Sequence, residues 1–338
     1  MVHIGIDVHV RESQICVLRE TGELTQQRIA TRRDRLAAVL GSLAPARVLL
    51  EASGQSEWVA TCLEGLGHEV VVADPNYAPM YPGRRRIKTD RRDAEALAVA
   101  CAKGTYRPVH RRAAAQRAVQ VQLTVREQLV RVRTQLINVV RATVRGEGLR
   151  LGSGTAETVA ARVAGLALPA ALRTTLAPLL TLLDQVSAQL AEVEATLTAA
   201  AAQTPGVAPL LTLPGVGPVT ALAFVGTLDT PTRFGRTAEV TSYLGLVPGE
   251  RSSGDRRQRG GITKRGPRRL RWLLVQAAWC VWRSTRADIA PLRAWAHRLG
   301  ARRGVRVAVV ALARRLARIL FAMWREGTPF RPLAAVSA

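Results

Sequence analysis

The chain has 338 residues, 48% of them hydrophobic, and 49 Lys+Arg against 25 Asp+Glu give a formal net charge of +24. Four scattered cysteines (Cys16, Cys62, Cys101, Cys280) and the lack of any CxxC pair exclude a disulfide scaffold and a zinc ribbon. The hydrophobic content excludes a chain disordered throughout, and the length suits roughly two domains.

Asp7, Arg11 and Glu12 interrupt the first dozen residues, so no secretory signal is expected there and a reducing cytoplasm is the expected compartment. Residues 3–8 (HIGIDV) read as a buried strand, and 14–19 and 24–30 as the next two, turning at Thr21-Gly22. A helix is expected over 33–43, a short apolar strand over 47–50 ending at Glu51, and a helix over 56–66 stopped by Gly67. A fifth strand spans 69–73, closed by Asp74-Pro75, and a helix spans 90–102, stopped by Gly104. The order βββαβαβα predicts a mixed sheet with helices on its faces.

The middle reads as helix. Residues 116–145 carry apolar side chains at alternating spacings of four and three, and Leu179, Leu183, Val186, Leu190, Val193 and Leu197 form a three-heptad seam. Such a seam suits a coiled coil or the core of a helical bundle, and periodicity alone does not separate them. Residues 146–154 are expected to turn between the two helices, and Thr204-Pro205 to end the second. Residues 195–228 hold no charge, but Pro205, Pro209, Pro214 and Pro218 interrupt them, which a lipid-exposed helix could not satisfy. The last part is expected to be mainly helical, with a polar glycine-rich loop over 245–266 and basic amphipathic helices over 268–284 and 305–324.

The charge is segregated. Residues 1–80 carry a net −3, 81–150 a net +12, 151–250 a net −3 and 251–338 a net +18. Two basic blocks of this kind point to a polyanion, nucleic acid first. Only Lys88, Lys103 and Lys264 are lysines, which fits an arginine-biased genome, but codon bias does not segregate charge.

Four acids stand out. Asp7 interrupts the apolar run Ile4, Ile6, Val8, where an unpaired carboxylate is costly. Glu51 ends an apolar strand, and Asp90 and Asp93 share one helix face. Strands one and four and the following helix can meet at one sheet end, and carboxylates gathered there call for hard cations such as Mg²⁺. The combination has a ribonuclease-H-like pattern; taken singly, Asp90 and Asp93 also suit a helix N-terminus. Glu12, Glu57 and Glu95 read as solvated. Arg84, Arg85, Arg86, Lys88, Arg91 and Arg92 crowd the loop and first turn beside the acids, as a polyanionic substrate needs.

Two motifs follow. Residues 213–221 (LPGVGPVTA) resemble a helix-hairpin-helix turn, whose backbone amides around Gly215 and Gly217 can hold a phosphate; an ordinary tight turn is the alternative. Residues 249–266 place Ser252-Ser253-Gly254 among Arg251, Arg256, Arg257, Arg259, Lys264 and Arg265. A serine in an arginine-lined pocket can act as nucleophile or merely bind phosphate, and no triad partner is evident.

Together, GIDVH, LLEASG, KTDRRDAEALA, LPGVGPVTA and YLGLVPGERSSGDRRQRGGITKRG resemble the DEDD-type insertion-sequence transposases, the bridge-RNA-guided recombinases with a RuvC-like N-terminal domain. The resemblance covers nearly the whole chain. It implies a RuvC-like catalytic domain over 1–110, a helical coiled-coil dimerisation segment over 111–204, and a C-terminal transposase domain over 205–338. It also implies that Asp7, Glu51, Asp90 and Asp93 hold Mg²⁺ and that Ser253, with Ser252 adjacent, forms a phosphoserine link to DNA. A structured guide RNA, donor and target DNA, and a further copy of the chain are the implied partners, in a prokaryotic, nucleoid-associated setting. Arg126, Arg131, Arg133 and Arg141, with Arg268, Arg269 and Arg271, are the expected backbone contacts. Pro267 departs from the pattern, standing where Asn or Asp is expected. No GxxxxGK[ST] loop occurs, so no nucleotide cofactor is expected. Competing readings are a metal-dependent junction resolvase that uses water, and a non-catalytic nucleic-acid scaffold.

Overall fold

The computed structural model describes residues 2–81, 89–253 and 256–332, the side chains of 251–259 excepted. The chain divides into two compact units, Met1–Arg111 and Arg112–Ala338.

The first unit runs β1 (His3–Val8), β2 (Glu12–Leu18), β3 (Leu24–Ala30), α1 (Arg33–Leu40), β4 (Arg47–Glu51), α2 (Ser56–Glu64), β5 (Glu69–Ala73) and α3 (Asp90–Lys103). The sheet order is β3-β2-β1-β4-β5, with β1–β2–β3 antiparallel and β1–β4–β5 parallel. This is the expected mixed sheet. Period-2 alternation sends Ile4, Ile6, Val48 and Leu50 to one face, where Leu36, Leu40, Val59 and Leu63 of α1 and α2 cover them. The other face carries Gly5, Asp7, Cys16 and Leu49, and α3 packs there through Ala94, Leu97 and Ala98. Arg111 closes the unit by donating to both Glu57 and Glu64, so Glu57 is a clamp and not a merely solvated acid.

Gly5 fixes how close α3 comes. A Cβ there would lie 2.2 Å from the Ala94 carbonyl oxygen and 2.2 Å from the Ala98 amide nitrogen. Only a glycine lets the helix backbone rest on the strand backbone.

The second unit runs α4 (Ala114–Gly146), α5 (Val159–Ala164), α6 (Ala170–Gln203), α7 (Val207–Leu210), α8 (Pro218–Leu228), α9 (Thr237–Tyr243), β6 (Pro248–Ser253), β7 (Arg256–Ile262), α10 (Arg268–Arg283), α11 (Ala290–Arg303) and α12 (Val305–Glu326). Helix α8 is its axis: every residue from Thr220 to Leu228 is buried. Val119 and Leu123 of α4 pack with Leu197 and Ala201 of α6 in that core, while Ile137, Val140 and Val144 pack with Leu176 and Leu183. These pairings run in opposite directions, so α4 and α6 form an antiparallel arm. The heptad seam is therefore spent inside the chain: Leu183, Val186, Leu190 and Leu197 are buried, and α4 covers them.

Two sequence expectations need correction. The connection between the long helices is more than a turn, because it contains α5. Residues 245–266 are not an open loop but frame an antiparallel hairpin, β6 with β7, paired from Pro248–Ile262 to Ser253–Arg256. The turn at Gly215 lies between the four-residue α7 and α8.

Candidate active site

Asp7 and Asp90 meet because of the Gly5 contact. Asp7 lies two residues beyond Gly5 on the same strand face, and Asp90 lies one helical turn before Ala94. Asp7 is 8% exposed. His9, at the exit of β1, places Nε2 3.2 Å from Asp7 Oδ2 and 3.6 Å from Asp90 Oδ1. Ligand atoms of Asp7, His9 and Asp90 all lie within 4.8 Å of one another, the one such triplet of His, Cys, Asp or Glu among the described residues. Two carboxylates and an imidazole are a donor set that fits a divalent cation. Arg28 reaches Asp90 Oδ2 at 3.5 Å and Glu12 at 2.9 Å, partly balancing the charge.

Glu51 and Asp93 lie on the same side of the sheet but outside that triplet. Glu51 ends β4, one residue past the Ile6–Leu50 pairing, and accepts a hydrogen bond from the Tyr81 hydroxyl. Asp93 lies one turn before Leu97, which packs on Leu49 of β4. Thr89 caps α3 by accepting from the Arg92 amide at 3.4 Å, and its carbonyl accepts from the Asp93 amide at 3.0 Å. Both aspartates thus occupy the first turn, where the helix dipole favours negative charge. His9 and Tyr81 were missed by sequence reasoning. His9 stood inside the GIDVH landmark, two residues after the buried acid.

The serine pair lies on β6, with Ser253 at the last pairing of the hairpin, opposite Arg256. The hairpin is rooted by backbone. Gly245 has φ +64°, and a Cβ there would lie 2.2 Å from the Arg265 carbonyl oxygen; Gly266 has φ +72°, and its Cβ would lie 2.0 Å from the Tyr243 carbonyl oxygen. Arg271 of α10 staples the same crossing by donating to the carbonyls of Leu244 at 2.9 Å and Arg265 at 2.8 Å. Burial, then repulsion from Arg268, lowers the Arg271 pKa below its usual value. The departure at Pro267 leaves this root intact: Pro267 takes the N-cap position of α10 and supplies the carbonyl for the Arg271 amide.

A family model described as "Transposase IS116/IS110/IS902 family" matches residues 207–292, and one described as "Transposase", for the DEDD transposases of IS110, matches residues 4–147. A probable family 20 transposase of Pseudomonas aeruginosa is 33% identical, covering 89% of this chain and 90% of its own. The transposase for insertion sequence element IS1328 of Yersinia enterocolitica is 30% identical over 97% and 98% of the two chains. That for IS1111A of Coxiella burnetii is 29% identical over 97% and 91%. The chain belongs to the DEDD-type insertion-sequence transposases of the IS110 family.

This transposase is therefore an enzyme that cuts and rejoins DNA, and its family points to a divalent cation. Among the described residues, no helix is long and apolar enough to cross a membrane. Its expected basic contacts fall in several places. Arg84, Arg85, Arg86 and Lys88 lie outside the described residues, as do the side chains of Arg251, Ser252, Arg256, Arg257 and Arg259. Arg126, Arg131, Arg268 and Arg269 line one cavity of about 200 Å³ together with Glu127 and Trp272, an exposed tryptophan the sequence reading passed over. Within it Arg126 pairs with Glu194 at 2.5 Å, and Arg269 with Glu127 at 2.7 Å. Arg133 pairs with Glu157 at 2.7 Å, whereas Arg141, Lys264 and Arg265 are exposed. A Cβ at Gly215 would press on the Ala277 carbonyl of α10 at 3.0 Å, whereas one at Gly217 would meet nothing within 4 Å. Gly215 is thus held against α10, and Gly217 opens outward at the N-terminus of α8.

Proposed function

We propose that the transposase joins DNA strands through a covalent serine intermediate at Ser253, aided by a Mg²⁺-binding acidic group of Asp7, Glu51, Asp90 and Asp93, under guidance by a structured RNA. The observation that carries the acidic part is the convergence of Asp7, His9 and Asp90. A cation bound there supplies electrostatic stabilisation for charge that develops on phosphate oxygens. His9 stands between the two aspartates, 3.2 Å from Asp7 and 3.6 Å from Asp90, and Tyr81 orients Glu51.

In the serine step, Ser253 Oγ bonds to phosphorus, the P–O bond to one strand end breaks, and that end leaves as a hydroxyl carrying the proton. A hydroxyl from the partner strand then attacks the same phosphorus and releases Ser253. The phosphodiester bond energy stays in the covalent link, so no nucleotide is consumed. Support comes from the backbone position of Ser253 at the hairpin end and from a sequence neighbourhood rich in arginine, a residue that can stabilise the phosphorane charge. The domain roles follow the same reading: 1–110 acidic centre, 111–204 helical dimerisation segment, 205–338 serine and DNA-binding part. Because α4 covers the α6 seam, self-association would use the exposed row Val121, Val125, Val132 and Val139 on α4. RNA guidance rests on the family likeness and on the two basic blocks.

The test mixes the full chain, Mg²⁺, a transcript of the noncoding DNA beside the element, and end-labelled donor and target DNA. On a denaturing gel, a protein–DNA adduct lost with Ser253→Ala and absent without the transcript is the expected result. Cleavage without an adduct would instead mean that water is the nucleophile.

A further inference from the structure

Residues 289–325 hold nine arginines and no carboxylate. They form most of α11 and α12, and half-buried Trp295 of α11 lines two cavities there. The larger, about 670 Å³, takes Arg314, Arg315 and Arg318 of α12 and Thr237 of α9 into its lining. The smaller, about 490 Å³, is lined by Trp295 together with Arg298 and Arg302. The Arg315 guanidinium carbon lies 4.8 Å from the Trp295 ring centroid, and Arg318 Nε donates to Thr237 Oγ1 at 3.3 Å. Among the described residues, none of these five arginines has a carboxylate partner.

Five uncompensated guanidinium groups around one ring repel each other, and a polyanion relieves that repulsion. The walls between the charges are apolar, formed by the ring, Ala311, Ile319 and Ala322. Free phosphate would use the arginines and leave those walls bare. A duplex would keep its bases stacked inside, away from a half-buried ring. An unpaired nucleotide uses both parts, with the base against the indole and flanking phosphates on the guanidinium groups.

We infer that the α11–α12 face is a single-strand binding groove, in which Trp295 stacks an unpaired base and Arg298, Arg302, Arg314 and Arg318 hold the adjoining phosphates. This rests on the nucleic-acid function above and adds a site that neither the acidic centre nor the serine hairpin contains. The strand is either displaced DNA or an unpaired stretch of RNA, which share this chemistry.

The test measures equilibrium binding of the full chain to fluorescent dT20, rU20 and a mixed-sequence duplex without divalent cation, so failure of the serine chemistry leaves the readout untouched. Trp295→Leu is expected to weaken single-strand binding about tenfold and Trp295→Phe far less, with duplex binding unchanged. The double variant Arg314→Gln/Arg318→Gln is expected to flatten the slope of log K against log salt by about 1.4. A photoactivated bromodeoxyuridine or thiouridine strand is expected to cross-link to the peptide holding Trp295. The tighter of dT20 and rU20 names the source of the strand. Trp295→Leu binding single strands like the parent while melting like it would overturn the proposal. So would an equal loss of duplex binding, or displacement of the strands by polyglutamate at equal charge concentration.

Discussion

The acidic centre and the serine hairpin are positioned by opposite means. Asp7 and Asp90 are brought together across the first unit by sheet register and by a helix resting on a glycine, with Glu51 and Asp93 on the same side of the sheet. The serine hairpin is one continuous segment, rooted where Gly245 and Gly266 let two stretches of backbone cross. The first site stands on the core of its unit and shares its stability. The second stands on a local crossing and can lose its geometry while the unit stays folded.

The sharpest way to break this comparison is at the acids. Asp7→Asn and Asp90→Asn are expected to reduce DNA cleavage about a hundred- to a thousandfold with unchanged melting, since each keeps its volume and loses only charge. Unchanged cleavage would remove the acidic centre from the chemistry. Next come the glycines. Gly5→Ala must push α3 off β1 and is expected to cost about 3 kcal/mol in chemical denaturation. Gly54→Ala, where a Cβ meets nothing within 4 Å, is its control. Gly266→Ala is expected to abolish adduct formation with little change in the global transition, because its damage stays at the hairpin root. If Gly266→Ala unfolds the whole second unit, the contrast between the sites fails.

Tyr81→Phe removes the hydrogen bond to Glu51 and His9→Gln removes the imidazole between the aspartates. Each is expected to weaken divalent-cation affinity about tenfold, read by calorimetry. The smallest effect concerns two thiols of the first unit. Burial pushes Cys16 and Cys101 from 9.0 up to about 11. Below pH 9 both are neutral, folded or unfolded, and stability is fully present. Between pH 9 and 11 the unfolded thiols ionise first, so stability falls with rising pH. Iodoacetamide at pH 8 should accordingly label the exposed Cys280 and spare Cys16 and Cys101.

The first unit was largely legible in the sequence because its strands are short apolar runs bounded by Gly, Pro and Asp. Asp7 was legible because a carboxylate in such a run has few structural uses. His9 was not, since an exposed residue at a strand exit breaks no periodicity. The hairpin was read as a loop because residues 248–262 are rich in Gly, Arg and Ser, with no alternating β-branched pattern; cross-strand pairing and the glycine root hold it instead. Helix α11 escaped because its buried positions Leu292, Ala296 and Gly300 shrink along the helix. The single-strand groove was illegible for the same reason, as it needs α11 beside α12. The α6 seam was visible but its partner was not: periodicity names a buried stripe, and only the fold shows that α4 of the same chain buries it.

The antiparallel arm also sets a length. Its helices of 33 and 34 residues run about 50 Å at 1.5 Å per residue. The half near α8 belongs to the main core, while the far half, closed by α5, carries a hydrophobic cluster of its own. That division gives the arm a separately packed tip at the end of a lever about as long as fifteen base pairs of duplex. Removing whole turns from both helices together would shorten the span in steps of about 5.4 Å while leaving the body intact.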